Sequence, residues 1–236
     1  MSLAPGAAEG IAERWRAIAA RVAAACERAG RAPAEVTIVA VSKTHPAEAV
    51  RAAAAAGARD FGENYAQELA GKLEACGELG ARWHFIGRLQ RNKARLVAGR
   101  VALVHAVDSV ELAQELGRRA IAAGAAVQPI LLAVNIAGEA TKGGAAPEAA
   151  PALAAAIAAV PSARLEGLMT MPPPGDDPEA SRGSFLALRA LRDRLQQELG
   201  APLPALSMGM SGDYEVAIAC GATHVRIGTA IFGARA

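Results

Sequence analysis

The chain has 236 residues, of which 53% are hydrophobic and 20% are charged, and its 25 basic and 23 acidic side chains leave a formal charge of +2. This length suits one undivided α/β barrel, so we expect a single domain over residues 1–236. The near balance of charge gives no electrostatic footprint for nucleic acid or an anionic membrane. Neither a long uncharged apolar stretch nor a signal-peptide pattern is present, so we expect a cytoplasmic protein.

The spacing of cysteines and histidines gives no support for metal or disulfide chemistry. The three cysteines are widely separated and contain no C-x-x-C pair. The four histidines also lie far apart, without H-E-x-x-H or a similar ligand spacing. We therefore expect reduced thiols and no metal site.

The chain begins with a predicted amphipathic helix over residues 7–29, in which apolar residues recur at spacings of three and four. A β-branched apolar run follows over residues 36–41. It is too short for a typical helix and is bounded by prolines, which predicts a strand buried on both faces. Such strands belong to parallel sheets covered by helices. Lys43 lies at the carboxyl end of this strand, where α/β folds bind their ligands.

Seven more strands follow, and the predicted ranges are 59–64, 82–87, 103–107, 128–135, 165–171, 205–210 and 223–228. A helix is predicted after each strand, including a basic helix over residues 90–98 after the third. A polar loop is predicted over residues 136–144, and the proline-rich segment 172–178 predicts a mobile loop over the site. Eight strands that alternate with eight helices, after one extra N-terminal helix, predict an α/β fold, a single (β/α)8 TIM barrel. An open doubly wound sheet is the alternative, which is weaker because no G-x-G-x-x-G follows the first strand.

In a barrel the strand ends converge on one face, so residues that are distant in sequence can share a pocket. The residues predicted to do so are Lys43, Asn64, His84, Asn135, Met169, Ser211, Arg226 and Gly228. The loops after strands seven and eight carry small residues and the hydroxyls of Ser211 and Thr229, which is typical of phosphate sites. For either loop alone, ordinary turn and capping chemistry is the better interpretation. Both loops together, opposite a lysine that can attack an aldehyde, favour a phosphorylated aldehyde as the ligand.

Arg226 is unusual because it interrupts the apolar run 225–231, and a buried guanidinium is costly unless it has a partner. Arginine does not give up its proton in a protein, so it could donate to a pyridine nitrogen and keep that nitrogen unprotonated. The alternative is an ion pair with a carboxylate such as Glu63 or Asp213. The residue by itself leaves both interpretations open.

Five segments of the chain together resemble the YggS/PROSC family of pyridoxal 5'-phosphate (PLP) binding proteins. They are VAVSK (39–43), FGENY (61–65), WHFIGRLQRNK (83–93), LSMGMSGD (206–213) and THVRIGTAIFG (223–233). The resemblance extends across nearly the whole chain. It implies a fold similar to the barrel domain of alanine racemase, a fold type III PLP protein.

The resemblance also implies roles for individual residues. Lys43 matches the lysine that holds PLP as a Schiff base, and Arg226 matches the arginine that faces the pyridine nitrogen. The positions that match phosphate-binding residues are Ser211, Gly228 and Thr229. We complete the predicted cofactor site with the strand-end residues Asn64, His84 and Met169.

Family members are regarded as regulators of vitamin B6 and amino-acid homeostasis. The resemblance thus implies a PLP carrier that passes its cofactor to PLP-dependent apoenzymes, and we expect a monomer without catalytic residues. A weak PLP-dependent amino-acid racemase and a cofactor-free Schiff-base lyase acting on a phosphorylated sugar are the alternatives. A racemase needs a second base on the opposite face of the cofactor. The only phenols, Tyr65 and Tyr214, follow strands of the same barrel, and we expect no second domain.

Overall fold

The computed structural model describes residues 6–139, 143–173 and 175–234, and its strands form one closed parallel barrel. The strands are β1 (Thr37–Val41), β2 (Asp60–Glu63), β3 (Arg82–Phe85), β4 (Leu103–Val107), β5 (Gln128–Ala133), β6 (Ala163–Met169), β7 (Ala205–Ser207) and β8 (His224–Ile227). Each strand pairs with the next along the chain, and β8 pairs with β1. The predicted (β/α)8 barrel is therefore confirmed over the open sheet.

Helices surround the barrel in the predicted order, and α1 (Ala7–Arg28) is the extra helix that precedes it. The helices that follow are α2 (Ala47–Ala55), α3 (Ala66–Ala75), α4 (Val110–Ala122), α5 (Ala150–Ala158), α6 (Arg182–Leu199), α7 (Tyr214–Ala219) and α8 (Thr229–Phe232). α1 packs against α2, α7 and α8, and its Arg14 donates to the Ile231 carbonyl at 2.8 Å. In the described part of the chain, none of the helices has the length and apolar character needed to cross a membrane.

The connection after β3 differs from the prediction. The helix predicted over residues 90–98 is instead a 3-10 helix, Arg91–Leu96, in which only Ala94 is buried. Ala94, Val97 and Ala98 are the buried residues of the predicted range and none precedes its midpoint, whereas Arg91 and Asn92 are exposed, so the segment packs on the barrel over little more than one turn.

Two predicted loops are only partly described. Residues 140–142, which include Lys142, lie outside the described ranges, as does residue 174 of the proline-rich segment. That segment leads into another 3-10 helix, Pro178–Ser181, whose first turn is capped by the Asp177 side chain. The mobility of the segment stays a prediction.

The barrel interior contains both an apolar and a polar group of side chains. The main hydrophobic core lies between the sheet and the helices, whereas a smaller cluster inside the barrel consists of Leu103, Leu131, Ala133, Met169 and Ala205. The buried polar side chains that share the interior are Asp60, His84, His105, Ser207 and Arg226. Buried polar groups are stable only when they are hydrogen-bonded, so these residues must satisfy one another.

Candidate functional site

A cavity of about 340 Å³ opens at the carboxyl ends of the strands. Seven of the eight predicted cofactor-site residues line it: Lys43, Asn64, Met169, Ser211, Arg226, Gly228 and Thr229. They come from five different strand ends, so barrel closure brings them together. We call this space the Lys43 cavity.

His84 is the predicted site residue that the structure places elsewhere. It lies two positions before Ile86, which does line the Lys43 cavity, so both side chains point into the barrel but His84 is one layer lower. It lines a separate cavity of about 430 Å³, together with Asp60, Arg82 and His224. The prediction that His84 shares the pocket of Lys43 is corrected accordingly, because a sequence pattern marks a strand end only to within a residue or two.

Asn135 is likewise absent from the wall of the Lys43 cavity. Its side-chain amide donates to the Glu139 carbonyl at 2.8 Å and accepts from the Glu139 N–H at 3.3 Å. Asn135 therefore shapes the start of its own loop.

Lys43 stands on a strained turn that follows β1. Thr44 has a φ of 67°, and it is the one non-glycine residue with positive φ in the described ranges. A β-branched residue adopts this conformation only when its surroundings enforce it. The Thr44 N–H donates to Glu68 Oε1 at 2.6 Å, and the ammonium of Lys72 donates to both that oxygen and the Ser42 carbonyl. These contacts fix the backbone on both sides of Lys43.

The loops after β7 and β8 meet at one end of the cavity. Ser211 Oγ accepts from the backbone N–H groups of Gly228 and Ala230 at 3.3 and 3.5 Å. Both contacts are long, so these donors are only weakly satisfied within the protein. Asp213 Oδ1 accepts from the Met210 N–H at 2.7 Å and shapes the β7 loop from outside the cavity wall.

The charge of the wall is mainly positive. Lys43, Arg88 and Arg226 are its cations in the described ranges, and Asp108 is its acidic residue. The weakly bound N–H donors and the hydroxyls of Ser211 and Thr229 add further donors. Such a lining favours an anionic ligand.

Arg226 is the most deeply buried cation of the wall, with 4% of its surface exposed. Its Nη1 donates to Ser207 Oγ at 2.6 Å and its Nη2 donates to the Thr170 carbonyl at 2.9 Å. No carboxylate in the described part of the chain forms an ion pair with it. Glu63 is paired with Lys72, and Asp213 acts on Arg226 only at longer range while it accepts from the Ser181 hydroxyl and the Met210 N–H. Burial lowers the pKa of Arg226 to about 10, so the guanidinium is still charged at neutral pH. Its charge faces the cavity without a direct counter-ion.

Known proteins provide an independent comparison. The family model described as "Alanine racemase, N-terminal domain" matches residues 14–236. A Pseudomonas aeruginosa protein named "Pyridoxal phosphate homeostasis protein" is 50% identical over 225 residues, which cover 95% of this chain and 96% of the relative. An Aquifex aeolicus protein of the same name is 46% identical over 223 residues, which cover 94% and 97%. The chain belongs to this family. The resemblance seen in the five sequence segments is confirmed.

Solved structures agree with this placement. PipY of Synechococcus elongatus, solved with PLP bound, superposes with a TM-score of 0.81 at 35% identity, covering 94% of this chain and 100% of PipY. Alanine racemase of Corynebacterium glutamicum superposes with a TM-score of 0.72 at 20% identity, covering 96% of this chain but 62% of the racemase. The second likeness shows the fold alone, and it confirms the predicted similarity to the racemase barrel.

Sequence reasoning missed two charged residues of the wall, Arg88 and Asp108. Both follow a barrel strand by one to three residues, which is the signal that could have identified them. Asp108 directly precedes the N-cap of α4, Ser109, whose hydroxyl accepts from the Leu112 N–H.

Proposed function

We propose that this chain binds PLP in the Lys43 cavity and acts in PLP homeostasis as a carrier of the cofactor. The observation that carries the proposal is that Lys43, Arg226 and the donors around Ser211 line one cavity. Membership of the family named for pyridoxal phosphate homeostasis supports it, as does the PLP-bound structure of PipY.

The donors of the cavity match the functional groups of PLP. When bound, PLP supplies an aldehyde that a lysine amine can join covalently with loss of water, and Lys43 is the lysine of the described wall. Arg226 can only donate, so it would hold the pyridine nitrogen as an unprotonated acceptor. The phosphate would be held by the hydroxyls of Ser211 and Thr229 and by the backbone N–H of Gly228, whose contact within the protein is long.

The positions of the two tyrosines favour a carrier over a racemase. Tyr65 is 56% exposed and lines a neighbouring depression of about 740 Å³. Tyr214 is buried beside α1, with the Arg21 guanidinium 5.5 Å from its ring centroid. Neither phenol lines the Lys43 cavity, so neither is placed to act as the second base of a racemase. We infer that bound PLP is retained and then passed to PLP-dependent apoenzymes.

Borohydride reduction of the PLP-loaded protein, followed by peptide mapping, tests the attachment site. We expect the label on Lys43, and we expect Lys43→Ala to lose both the label and the visible absorption of bound PLP. Lys93→Ala is the matched control, because Lys93 lies in the neighbouring depression and should not affect labelling. Label on Lys93 or Lys142 would contradict the assignment.

Three functions can be separated by three further measurements. Absence of visible absorption after incubation with PLP would favour the cofactor-free lyase. Loss of optical activity from single amino-acid enantiomers would favour the racemase. A carrier should instead restore activity to a PLP-dependent apoenzyme at the rate at which PLP leaves the Lys43 cavity.

A further inference from the structure

Five buried side chains inside the barrel form one continuous chain of hydrogen bonds that starts at Arg226. The Arg226 Nη1 lies 2.6 Å from Ser207 Oγ, and Ser207 Oγ lies 2.7 Å from His105 Nδ1. The His105 Nε2 lies 2.9 Å from His84 Nδ1, and His84 Nε2 lies 2.9 Å from Asp60 Oδ1. The chain therefore links the Lys43 cavity to the cavity at the opposite end of the barrel.

One order of donors satisfies every member of this chain when each imidazole carries a single proton. Arg226 can only donate, and an ionised Asp60 can only accept. From the Asp60 end, His84 then donates from Nε2 to the carboxylate and accepts on Nδ1 from His105 Nε2. His105 accepts on Nδ1 from the Ser207 hydroxyl, whose oxygen accepts from Arg226.

The surroundings of the chain favour a neutral His105 ring and an ionised Asp60 carboxylate. Burial lowers the pKa of His105 well below its usual value, which keeps that ring neutral. Burial disfavours the Asp60 carboxylate, but hydrogen bonds from His84 and Arg82 outweigh this effect and lower its pKa. Arg82 binds the carboxylate through two nitrogens, at 2.8 and 2.7 Å, while most of its own side chain stays exposed.

His224 lies in the same layer but outside the chain. Its ring centroid is 5.9 Å from that of His84 and 5.7 Å from that of His105, while its Nδ1 lies 2.9 Å from Thr223 Oγ1. Burial lowers the pKa of His224 to about 4, so it adds no charge at neutral pH. His224 is therefore a natural control for the packing of this layer.

We propose that Ser207, His105, His84 and Asp60 are positioning residues that hold Arg226 for the pyridine nitrogen of PLP. The inference rests on the proposed function. Ser207 and the Thr170 carbonyl fix one guanidinium nitrogen each, which sets the plane of the guanidinium at the cavity wall. At one end of the chain the Ser207 oxygen accepts a hydrogen bond from Arg226, and at the other end lies the Asp60 carboxylate. Hydrogen bonds in such a chain polarise one another in a low-dielectric interior.

The first test needs no cofactor. Nitrogen-15 NMR of the histidine rings in the cofactor-free protein at neutral pH should show a proton on Nε2 and a bare Nδ1 for both His84 and His105. A proton on Nδ1 of either ring would overturn the proposal, because the chain would then not run from Arg226 to Asp60.

The second test compares His105→Phe with His224→Phe, which replace neighbouring rings of one layer. Breaking the chain should raise the PLP dissociation constant about ten-fold, the loss expected for a hydrogen bond to a charged group. It should also raise the pH at which the nitrogen of ¹⁵N-labelled PLP takes up a proton. We expect His224→Phe to leave both quantities close to those of the unaltered protein. Equal effects of the two variants would show a packing role alone and would overturn the proposal.

Two further results keep the tests separate. Should His105→Phe fail to fold, Ser207→Ala breaks the same chain at its next link. In that variant the nitrogen of ¹⁵N-labelled PLP must also take up its proton at a higher pH for the proposal to stand. Failure of the unaltered protein to bind PLP would instead refute the proposed function. The tautomers measured in the cofactor-free protein would still show whether the ordered chain exists.

Discussion

Replacing the buried Lys72 by methionine is expected to destabilise the protein strongly. The Lys72 ammonium lies 2.6 Å from Glu63 Oε1, 2.6 Å from the Ser42 carbonyl and 2.8 Å from Glu68 Oε1. The Glu63 side chain is completely buried, and Lys72 is its only cationic partner in the described ranges. Its remaining contact is the Ser42 hydroxyl, which donates to Oε1 at 2.6 Å, while Oε2 has no hydrogen-bond partner.

The expected loss of unfolding free energy follows from the burial of this ion pair. Removing one partner of a buried ion pair leaves an uncompensated charge and costs about 3–5 kcal/mol. Methionine has a similar volume to lysine, so little of the cost of Lys72→Met comes from packing. Arg118→Met is the matched control, because Arg118 pairs with Glu115 while its own side chain is 60% exposed. Exposed pairs of that kind contribute only about 0.2–1 kcal/mol.

The effect should depend on pH with a definite sign. Burial raises the pKa of Glu63 above its usual value of 4.5, although Lys72 opposes the shift. The folded protein then binds the Glu63 proton more tightly than the unfolded chain does, so stability falls as the pH rises through the raised pKa. Without Lys72 the pKa rises further. The penalty of Lys72→Met should therefore grow from mildly acidic to neutral pH.

Urea unfolding of the cofactor-free proteins at several pH values measures these free energies. Combining Glu63→Gln with Lys72→Met removes the stranded charge, so the double variant should recover most of the lost stability at neutral pH. A cost for Lys72→Met within about 1 kcal/mol of that for Arg118→Met would refute the reasoning. So would a cost that shrinks with rising pH.

Other predictions concern the cavity and the sheet. Alanine at Ser211 or Thr229 should each weaken PLP binding about ten-fold without moving the borohydride label, and unchanged affinity in the double variant would contradict the phosphate assignment. Arg226→Glu, once its absorption confirms bound PLP, should exchange α-deuterium from an amino acid faster than the unaltered protein, since a carboxylate stabilises a protonated ring nitrogen. An equal rate would show that the ring nitrogen does not control this exchange. Gly167→Ala should lower the melting temperature far more than Gly183→Ala, because a Cβ added at Gly167 would clash with the Ala205 carbonyl oxygen of β7, whereas a Cβ added at Gly183 would meet no other part of the structure within 4 Å.

Most of the strands could be predicted because they are short apolar runs between turn residues, although β2 has a carboxylate at each end. The exact ends of the strands were harder to predict, and β7 shows why. The predicted strand covers residues 205–210, but β7 ends at Ser207. Gly209 has a φ of 89°, and Asp213 holds the Met210 N–H, so the backbone turns away from the ladder while its side chains stay apolar. An apolar sequence indicates that residues are buried but not that they form a strand, and here the buried residues continue beyond the end of β7.

The Lys43 cavity could largely be predicted because its residues stand at strand ends, a position that the sequence marks. The hydrogen-bonded chain could not be predicted in the same way. His105 and Ser207 are separated by 102 positions and meet only through the closure and register of the barrel. The sequence shows that each of these residues is polar within an apolar run, but it does not show which one satisfies another.

In the described ranges no carboxylate is in direct contact with Arg226, and this has a physical consequence for the cavity. A carboxylate in direct contact would occupy the guanidinium donors and place a negative charge beside the ligand, where it would compete with the pyridine nitrogen and favour its protonation. In the observed arrangement the carboxylate of Asp60 is four hydrogen bonds away, and the groups that touch Arg226 are a hydroxyl and a carbonyl. The guanidinium is thereby satisfied on its inner side and keeps its positive charge toward the cavity. Under the proposed function, a ring nitrogen that meets this guanidinium finds a donor and no carboxylate of the described ranges in direct contact, which favours its unprotonated form.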